Sequence, residues 1–273
     1  MSEVAPRNWS DLLVRSASAL FLAPIVLVDV WAGGYWYSLF VILLGIMIAR
    51  EWVAIVHGGD SKQFLLHTGA ILLAATAISF AEIQLILIPA AISIVLVLMS
   101  KTPKSFWSYI GILYLALPIW AFMALRSDSE WGLKAIIWCL VIVWATDTFA
   151  YFAGRTIGGP KLAPKLSPKK TWAGMGGAIV GASAASAAFS IYCELPIWPL
   201  IAIAAQLAII AQGGDIFESA LKRHFGVKDS GDLIPGHGGV LDRVDGLLAV
   251  VSCAALLGYL HAPATPGFGI LHW

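Results

Sequence analysis

The chain has 273 residues, of which 59% are hydrophobic and 12% are charged, and its formal net charge is +1. Soluble domains carry about 25% charged residues, so this composition excludes an ordinary soluble enzyme and indicates an integral membrane protein. Basic residues are not in large excess over acidic ones, so the charge of the chain does not favour a nucleic-acid partner. Its three cysteines (Cys139, Cys193 and Cys253) lie in apolar runs without metal-ligand spacing, which is typical of buried hydrophobic side chains.

Apolar runs of about 20 residues, the length that crosses a bilayer, recur along the chain and predict an all-α bundle of about nine membrane spans. No cleavage site follows the first run, so we expect it to be retained rather than removed as a signal peptide. Only Glu82 separates the third run from the fourth, and we expect a tight hairpin there. The predicted spans are 12–31, 34–56, 64–81, 83–100, 105–125, 132–154, 172–193, 196–214 and 243–262.

The basic residues predict the orientation of these spans. With nine spans, every Lys and Arg except Arg126 and Lys134 lies on the same side as the N-terminus. Cytoplasmic loops are enriched in Lys and Arg, so we expect a cytoplasmic N-terminus and an external C-terminus. In a bacterial cell this corresponds to the cytoplasmic (inner) membrane, with the polar segments facing the cytoplasm.

Polar residues divide the chain unevenly. Residues 1–130 have almost no charge within their spans and are predicted to form a scaffold half. Residues 131–273 are predicted to form a catalytic half with cytoplasmic loops at 155–171 and 222–242. In the seventh span, Gly177 and Gly181 have GxxxG spacing, which indicates close helix packing within one chain, with a homodimer seam as the alternative.

The sixth span and the loop after it carry the first polar features. Asp147 lies about 12 Å into the span from Arg155, where it either lines a polar cavity or pairs with a lysine of another helix. The loop GRTIGGPKLAPKLSPKKTW has five cations and no acid. Such a run is often only a topology determinant. The compact SPKKT unit instead favours phosphate binding by Ser167, Lys169, Lys170 and Thr171.

Residues 215–245 are the most highly charged stretch, with six acidic and four basic side chains between apolar runs. Asp215, Glu218, Ser219 and Lys222 have the spacing of one helical face, on an extension of the eighth span. Asp215 lies about 10 Å deeper than Lys222 and requires a cation, a metal or water. A structural ion pair between Asp215 and Lys222 is the alternative.

Glycine and proline residues then exclude a helix and leave backbone N–H groups that suit phosphate, with Gly238 and Gly239 as the expected contacts. His237 could donate to a phosphate oxygen, and its spacing to other histidines does not suggest zinc. Asp242 and Asp245 begin the last span, where both could simply favour a helix N-terminus. We select Asp215 and Asp242 as Mg²⁺ ligands and give Asp245 the minor role.

The stretch SALKRHFGVKDSGDLIPGHGGVLDRVD resembles the signature of phosphatidate cytidylyltransferases, also called CDP-diacylglycerol synthases. DTFAYFAGR and SPKKTWAG resemble two further blocks of that family, so the likeness covers about residues 144–246. The family usually has Glu after SPKKTW, where this chain has Ala173. A role of that glutamate in holding a lysine or a second cation is therefore not carried over.

The resemblance implies an Mg²⁺-dependent reaction of CTP with phosphatidic acid, giving CDP-diacylglycerol and pyrophosphate in the bilayer. Asp215 and Asp242 match the family's metal-binding aspartates, and a second cation remains open. Asp147 and Asp245 are secondary candidates, and Ser219 is expected at the substrate phosphates. The residues expected to take part in catalysis are Lys222, Arg223, Lys228, His237 and Arg243.

Two other functions compete with this interpretation. An ion-coupled transporter would explain intramembrane carboxylates, but not the cationic and glycine-rich run beside them, and no inverted repeat is visible. A CDP-alcohol phosphotransferase would also use Mg²⁺ in a membrane, but its DGxxAR motif is absent.

Overall fold

The computed structural model describes residues 23–76, 104–231 and 238–273. Most of these residues form helices, and two short antiparallel strands, β1 (Lys161–Ala163) and β2 (Ser167–Thr171), make a hairpin. The helices are α1 (Ala23–Ala32), α2 (Gly34–His57), α3 (Ser61–Thr76), α4 (Ser105–Ser127), α5 (Gly132–Thr156), α6 (Trp172–Cys193), α7 (Ile197–His224), α8 (Leu241–His261) and α9 (Pro266–Leu271).

Six of these helices (α2, α4, α5, α6, α7 and α8) are long and apolar enough to cross a membrane. They match six of the nine predicted spans and confirm a helical membrane protein. The first predicted span lies mostly outside the described residues and the fourth lies wholly outside them. The third predicted span is described to residue 76, as the 16-residue α3. The count of nine and the N-terminal orientation therefore stay predictions.

Glycines allow α5 and α6 to pack closely along much of their length. A Cβ atom on Gly177 would collide with the side chain of Ala153, and one on Gly181 would collide with the ring of Phe149. Small residues of this kind let two helix backbones approach. The GxxxG pair therefore packs within one chain, as the sequence favoured.

Lys104 and Asp128 flank α4 and mark two distinct ends of the bundle. At one end Asp128, between α4 and α5, accepts hydrogen bonds from Trp131 N and, through its other oxygen, from Phe268 N. At the other end Lys104 Nζ donates to the carbonyl oxygen of Val56, close to where α5 enters the hairpin and α7 leaves the bundle. We call the second end the polar end, because the SPKKT strand and the start of α8 both lie there.

Two elements were not predicted from the sequence. The basic loop forms the β1–β2 hairpin, with Lys161 opposite Thr171 and Ala163 opposite Ser167. After α8 the chain turns into the short α9, which packs back on α8 and α5. The continuation of the eighth span to His224 was predicted correctly.

Candidate active site

A cleft of about 500 Å³ opens at the polar end between α5, the hairpin and α7. Its lining is polar along one wall, with two acidic, three basic and several hydroxyl or amide side chains. The lining residues are Asp147, Ala150, Tyr151, Gly154, Arg155, Lys169, Lys170, Thr171, Gly174, Gln212 and Asp215. The cleft therefore brings together the sixth span, the SPKKT unit and the eighth span, which the sequence had treated separately.

The end of β2 fixes the basic wall of this cleft. Thr171 is buried, ends the strand and caps α6, with its Oγ1 accepting a hydrogen bond from Gly174 N at 3.0 Å. This is the usual role of a hydroxyl at a helix N-terminus. Gly154 of α5 passes close to both residues, since a Cβ there would lie 3.1 Å from Thr171 Oγ1. Lys169 and Lys170 thus project from a short strand whose ends are fixed, one by the cap at Thr171 and the other by the pairing of Ser167 with Ala163.

Lys170 joins the hairpin to α7. Its Nζ lies 2.7 Å from Asp215 Oδ2 and 3.4 Å from the carbonyl oxygen of Gln212. The Asp215 side chain remains 38% exposed, whereas that of Lys170 is 14% exposed. On the other side of the carboxylate, Ser219 Oγ lies 3.5 Å from Oδ1, which is a weak contact. Asp215 therefore pairs with Lys170 and not with Lys222, which excludes the structural pair considered from the sequence.

Two more aspartates add negative charge beside Asp215. Asp147 lines the same cleft, and the charges of Asp147, Asp215 and Asp245 act on one another and on Lys170. Lys170 is the cation whose charge acts on all three. Asp245 Oδ1 also accepts a hydrogen bond from Gly246 N at 2.7 Å. Carboxylates that are ionised this close together repel one another, and a cation, or a ligand that brings one, would relieve that repulsion.

A second and closed charge cluster lies where α7 meets the start of α8. Lys222 Nζ donates to Glu218 Oε2 at 2.9 Å and to Asp242 Oδ1 at 2.5 Å. Side-chain exposure is 12% for Lys222, 2% for Glu218 and 10% for Asp242. The second oxygen of Asp242 accepts from Gly239 N and Ser230 N, each at 3.0 Å. Both oxygens of Asp242 are therefore engaged by groups of the chain.

The scaffold half contributes one buried carboxylate to this region. Glu51 of α2 is 3% exposed and accepts hydrogen bonds from Val240 N and Leu241 N, both at 2.8 Å, and from Ser230 Oγ at 3.0 Å. Sequence reasoning missed Glu51. A carboxylate next to Arg50 near the end of a span resembles an ordinary interfacial residue, and no local spacing links it to residue 240.

The other predicted site residues are distributed around these two groups. Arg223 is exposed in the last turn of α7 and Lys228 is exposed just beyond it, and Arg223 Nη1 donates to the carbonyl oxygen of Val227 at 3.3 Å. Arg243 is exposed on the first turn of α8, and Ser167 begins β2. His237 lies outside the described residues. Glu218, which had no role in the sequence analysis, is the most buried member of the closed cluster.

Comparison with known proteins identifies what kind of chain this is. The model of a family described as "Cytidylyltransferase family" matches residues 13–261. The chain is 39% identical over 264 residues to a phosphatidate cytidylyltransferase of Brucella abortus biovar 1 (strain 9-941), covering 93% of this chain and 95% of the relative.

Relatives from more distant bacteria carry the same name. The chain is 32% identical over 257 residues to the phosphatidate cytidylyltransferase of Staphylococcus haemolyticus (strain JCSC1435), covering 89% of this chain and 98% of that one. It is 43% identical over 142 residues to that of Bacillus subtilis (strain 168), about half of each chain. The family match spans the cleft, the closed cluster and α2 alike, and the chain belongs to the cytidylyltransferase family.

Proposed function

We propose that this protein transfers the cytidylyl group of CTP to phosphatidic acid, forming CDP-diacylglycerol and releasing pyrophosphate. The observation that carries the proposal is the likeness to phosphatidate cytidylyltransferases along almost the whole chain. The cleft agrees with it, since lysines and carboxylates meet there at the end of a membrane-spanning bundle. The transporter alternative receives no support from any relative.

The reaction requires alignment and charge neutralisation more than proton transfer. A phosphate oxygen of the lipid forms a bond to the α-phosphorus of CTP, and the bond to the β-phosphate oxygen breaks as pyrophosphate leaves. The lipid phosphate is anionic at neutral pH, so it needs no general base. In the proposal, Lys169 and Lys170 contact the phosphates of CTP, and the exposed Arg223, Lys228 and Arg243 belong to the surrounding cationic surface. Lys222 acts from the closed cluster through Asp242. His237 keeps its proposed role as a donor to a phosphate oxygen.

Mg²⁺ is the proposed cofactor, and the carboxylates of the cleft fit it by their chemistry. In the described part of the chain, no three Asp, Glu, His or Cys side chains are grouped closely enough to hold a metal. Mg²⁺ is usually held by one or two carboxylates and by substrate phosphates, so the two carboxylates that line the cleft suit it. When bound, the ion would neutralise charge on the phosphates and the departing pyrophosphate.

Asp215 is the proposed ligand that best fits this description, because it is half-exposed in the cleft beside Asp147. Asp242 is retained as the second proposed ligand. Its Oδ1 accepts from Lys222 Nζ, so a metal at that oxygen would take the place of an ammonium group. Either cation offsets the negative charge of Asp242 and of the neighbouring Glu218.

The proposed setting is the cytoplasmic membrane, with the polar end facing the cytoplasm. All Lys and Arg residues apart from Arg126 and Lys134 fall on that side in the nine-span topology. CTP would then enter the cleft from water, and the lipid would arrive from the bilayer. Exposed aromatic rings near the end of α5 and at the start of α6, at Phe149, Tyr151, Phe152 and Trp172, provide a surface that acyl chains can contact.

The test supplies purified protein in detergent micelles with CTP, phosphatidic acid and Mg²⁺ and follows pyrophosphate release and lipid product together. Release that depends on all three is expected. Pyrophosphate release without CTP-dependent lipid product would contradict the function. Turnover that survives both Asp215→Asn and Asp242→Asn would contradict the metal site but not the reaction.

A further inference from the structure

Glu51, in the first half of the chain, accepts hydrogen bonds from the charged segment of the second half. Its carboxylate receives three hydrogen bonds, all from residues 179 to 190 positions further along the chain. Two donors are consecutive backbone N–H groups at the start of α8, where the helix dipole also favours a negative charge. The side chain is 3% exposed, so water does not compete for these bonds.

The glycines of the segment fit closely around this carboxylate. A Cβ atom at Gly231 would lie 3.0 Å from Glu51 Oε1, and one at Gly239 would lie 2.7 Å from Oε2. A Cβ at Gly239 would also collide with Ser230 Oγ. Larger side chains at either position would displace Glu51 or the backbone that it holds. The glycines thus allow the carboxylate to approach the backbone closely.

The groups held by Glu51 also hold the closed cluster. Ser230 gives its hydroxyl to Glu51 and its backbone N–H to Asp242. Gly239, next to the first backbone donor of Glu51, gives its N–H to Asp242 as well. Asp242 in turn binds Lys222. A shift of the backbone at Ser230 and Gly239 would therefore move Asp242 and Lys222 together.

We infer that Glu51 is a positioning residue for cytidylyl transfer: it fixes the 230–231 and 238–241 backbone, and through it Asp242 and Lys222. For its activity readout the inference rests on the proposed function. Every hydrogen-bond partner of Glu51 here is a donor. In Glu51→Gln the NH₂ group therefore faces a donor, although the shape of the side chain is almost unchanged.

Asp128 offers a matched control, because it is another buried carboxylate that accepts backbone N–H hydrogen bonds, at the opposite end of the bundle. It is 8% exposed and accepts from Glu130 N, Trp131 N and Phe268 N at 2.9 to 3.2 Å. The experiment compares Glu51→Gln, Glu51→Asp and Asp128→Asn in the full-length protein. The readouts are the thermal midpoint, kcat and KM for CTP per folded molecule, and backbone hydrogen exchange of the segment 238–243.

Glu51→Gln and Asp128→Asn should lower the thermal midpoint to a similar degree. Only Glu51→Gln should lower kcat, by about a hundredfold, because misplacement of a reacting group by about 1 Å has an effect of that size. KM for CTP should change less than kcat, since the lost alignment matters most in the transition state. Glu51→Asp should recover part of the kcat. Exchange at 238–243 should speed up in Glu51→Gln and stay unchanged in Asp128→Asn.

The inference is overturned if Glu51→Gln keeps kcat within twofold of the parent, or if Asp128→Asn loses as much. Unchanged exchange at 238–243 in Glu51→Gln would overturn it as well. Failure of the proposed function has a different signature, because the unmodified protein would then show no CTP-dependent turnover. The exchange comparison would still decide whether Glu51 holds the turn.

Discussion

Two lysine–carboxylate groups lie at the polar end of the bundle and differ in almost every physical respect. Lys170 and Asp215 meet across an open cleft, and the aspartate keeps 38% of its side chain exposed. Lys222 is enclosed between Glu218 and Asp242, and Asp242 also receives two backbone N–H groups. In the first group the Asp215 carboxylate is accessible to a ligand, whereas in the second both oxygens of Asp242 already accept hydrogen bonds from the protein.

The difference shows why similar residue types within one charged segment need not share a role. A closed cluster is costly to disturb, because each partner would leave an uncompensated buried charge. An open pair can exchange its partner for a substrate phosphate or a metal with little loss of stability. We therefore expect substitutions in the closed cluster to lower both stability and turnover, and those in the cleft to lower turnover alone.

The largest expected effect is that of Lys222→Met. It leaves Glu218 and Asp242 buried beside each other and should cost about 3–5 kcal/mol in the free energy of unfolding, the usual effect of breaking a buried pair. Denaturant titration in detergent micelles measures it. Lys169→Met, an exposed lysine of the hairpin, is the control. Adding Glu218→Gln should restore part of the loss; additivity of the two changes would argue against a coupled cluster.

Asp215→Asn is expected to separate activity from stability. Removal of one carboxylate from the cleft should lower kcat/KM for CTP by about a hundredfold, in the range found when a preorganised electrostatic group is lost. The free energy of unfolding should change by less than about 1 kcal/mol, because the group is half-exposed. Glu194→Gln, at the opposite end of the bundle, should change neither quantity. Equal losses of activity and stability would remove the distinction between the two clusters.

Lys170→Gln should raise KM for CTP by about tenfold, since a hydrogen bond to a charged group contributes about 1.5–3 kcal/mol. Lys165→Gln is the matched control, because Lys165 lies in the hairpin turn and does not line the cleft. Steady-state kinetics at fixed ionic strength compares them. A rise of similar size for both variants would indicate only a general attraction of the basic hairpin for nucleotide.

The smallest expected effect concerns the support of the cleft. Thr171→Val removes the cap of α6 and should cost about 1 kcal/mol in stability, with a modest rise in KM. Thr156→Val, where the hydroxyl bonds only to a carbonyl of its own helix, should cost less than about 0.5 kcal/mol. Thermal unfolding of the two proteins distinguishes them. An effect of Thr171→Val no larger than that of Thr156→Val would show that the cap does not hold the strand end.

Much of the site could be predicted from sequence because its components are local. Asp215, Glu218, Ser219 and Lys222 lie on one helix, as their spacing predicted. Lys169, Lys170 and Thr171 of the SPKKT unit line the cleft, while the phosphate binding expected of that unit stays a prediction. The metal assignment to Asp215 and Asp242 and the catalytic roles stay predictions. Partner choice was less accessible: the only lysine that the sequence offered for Asp215 was Lys222, whereas the structure pairs Asp215 with Lys170, and Glu218 had no assigned role.

The sequence by itself determined the membrane helices, the position of the charged segment and the family, because hydrophobic run length, helical periodicity and motif spacing are properties of contiguous residues. Only the tertiary structure decided that Lys170 meets Asp215, that Lys222 is enclosed, and that Glu51 holds the start of α8. These contacts join residues 20 to 190 positions apart. They depend on how the helices pack, and no local periodicity records that packing.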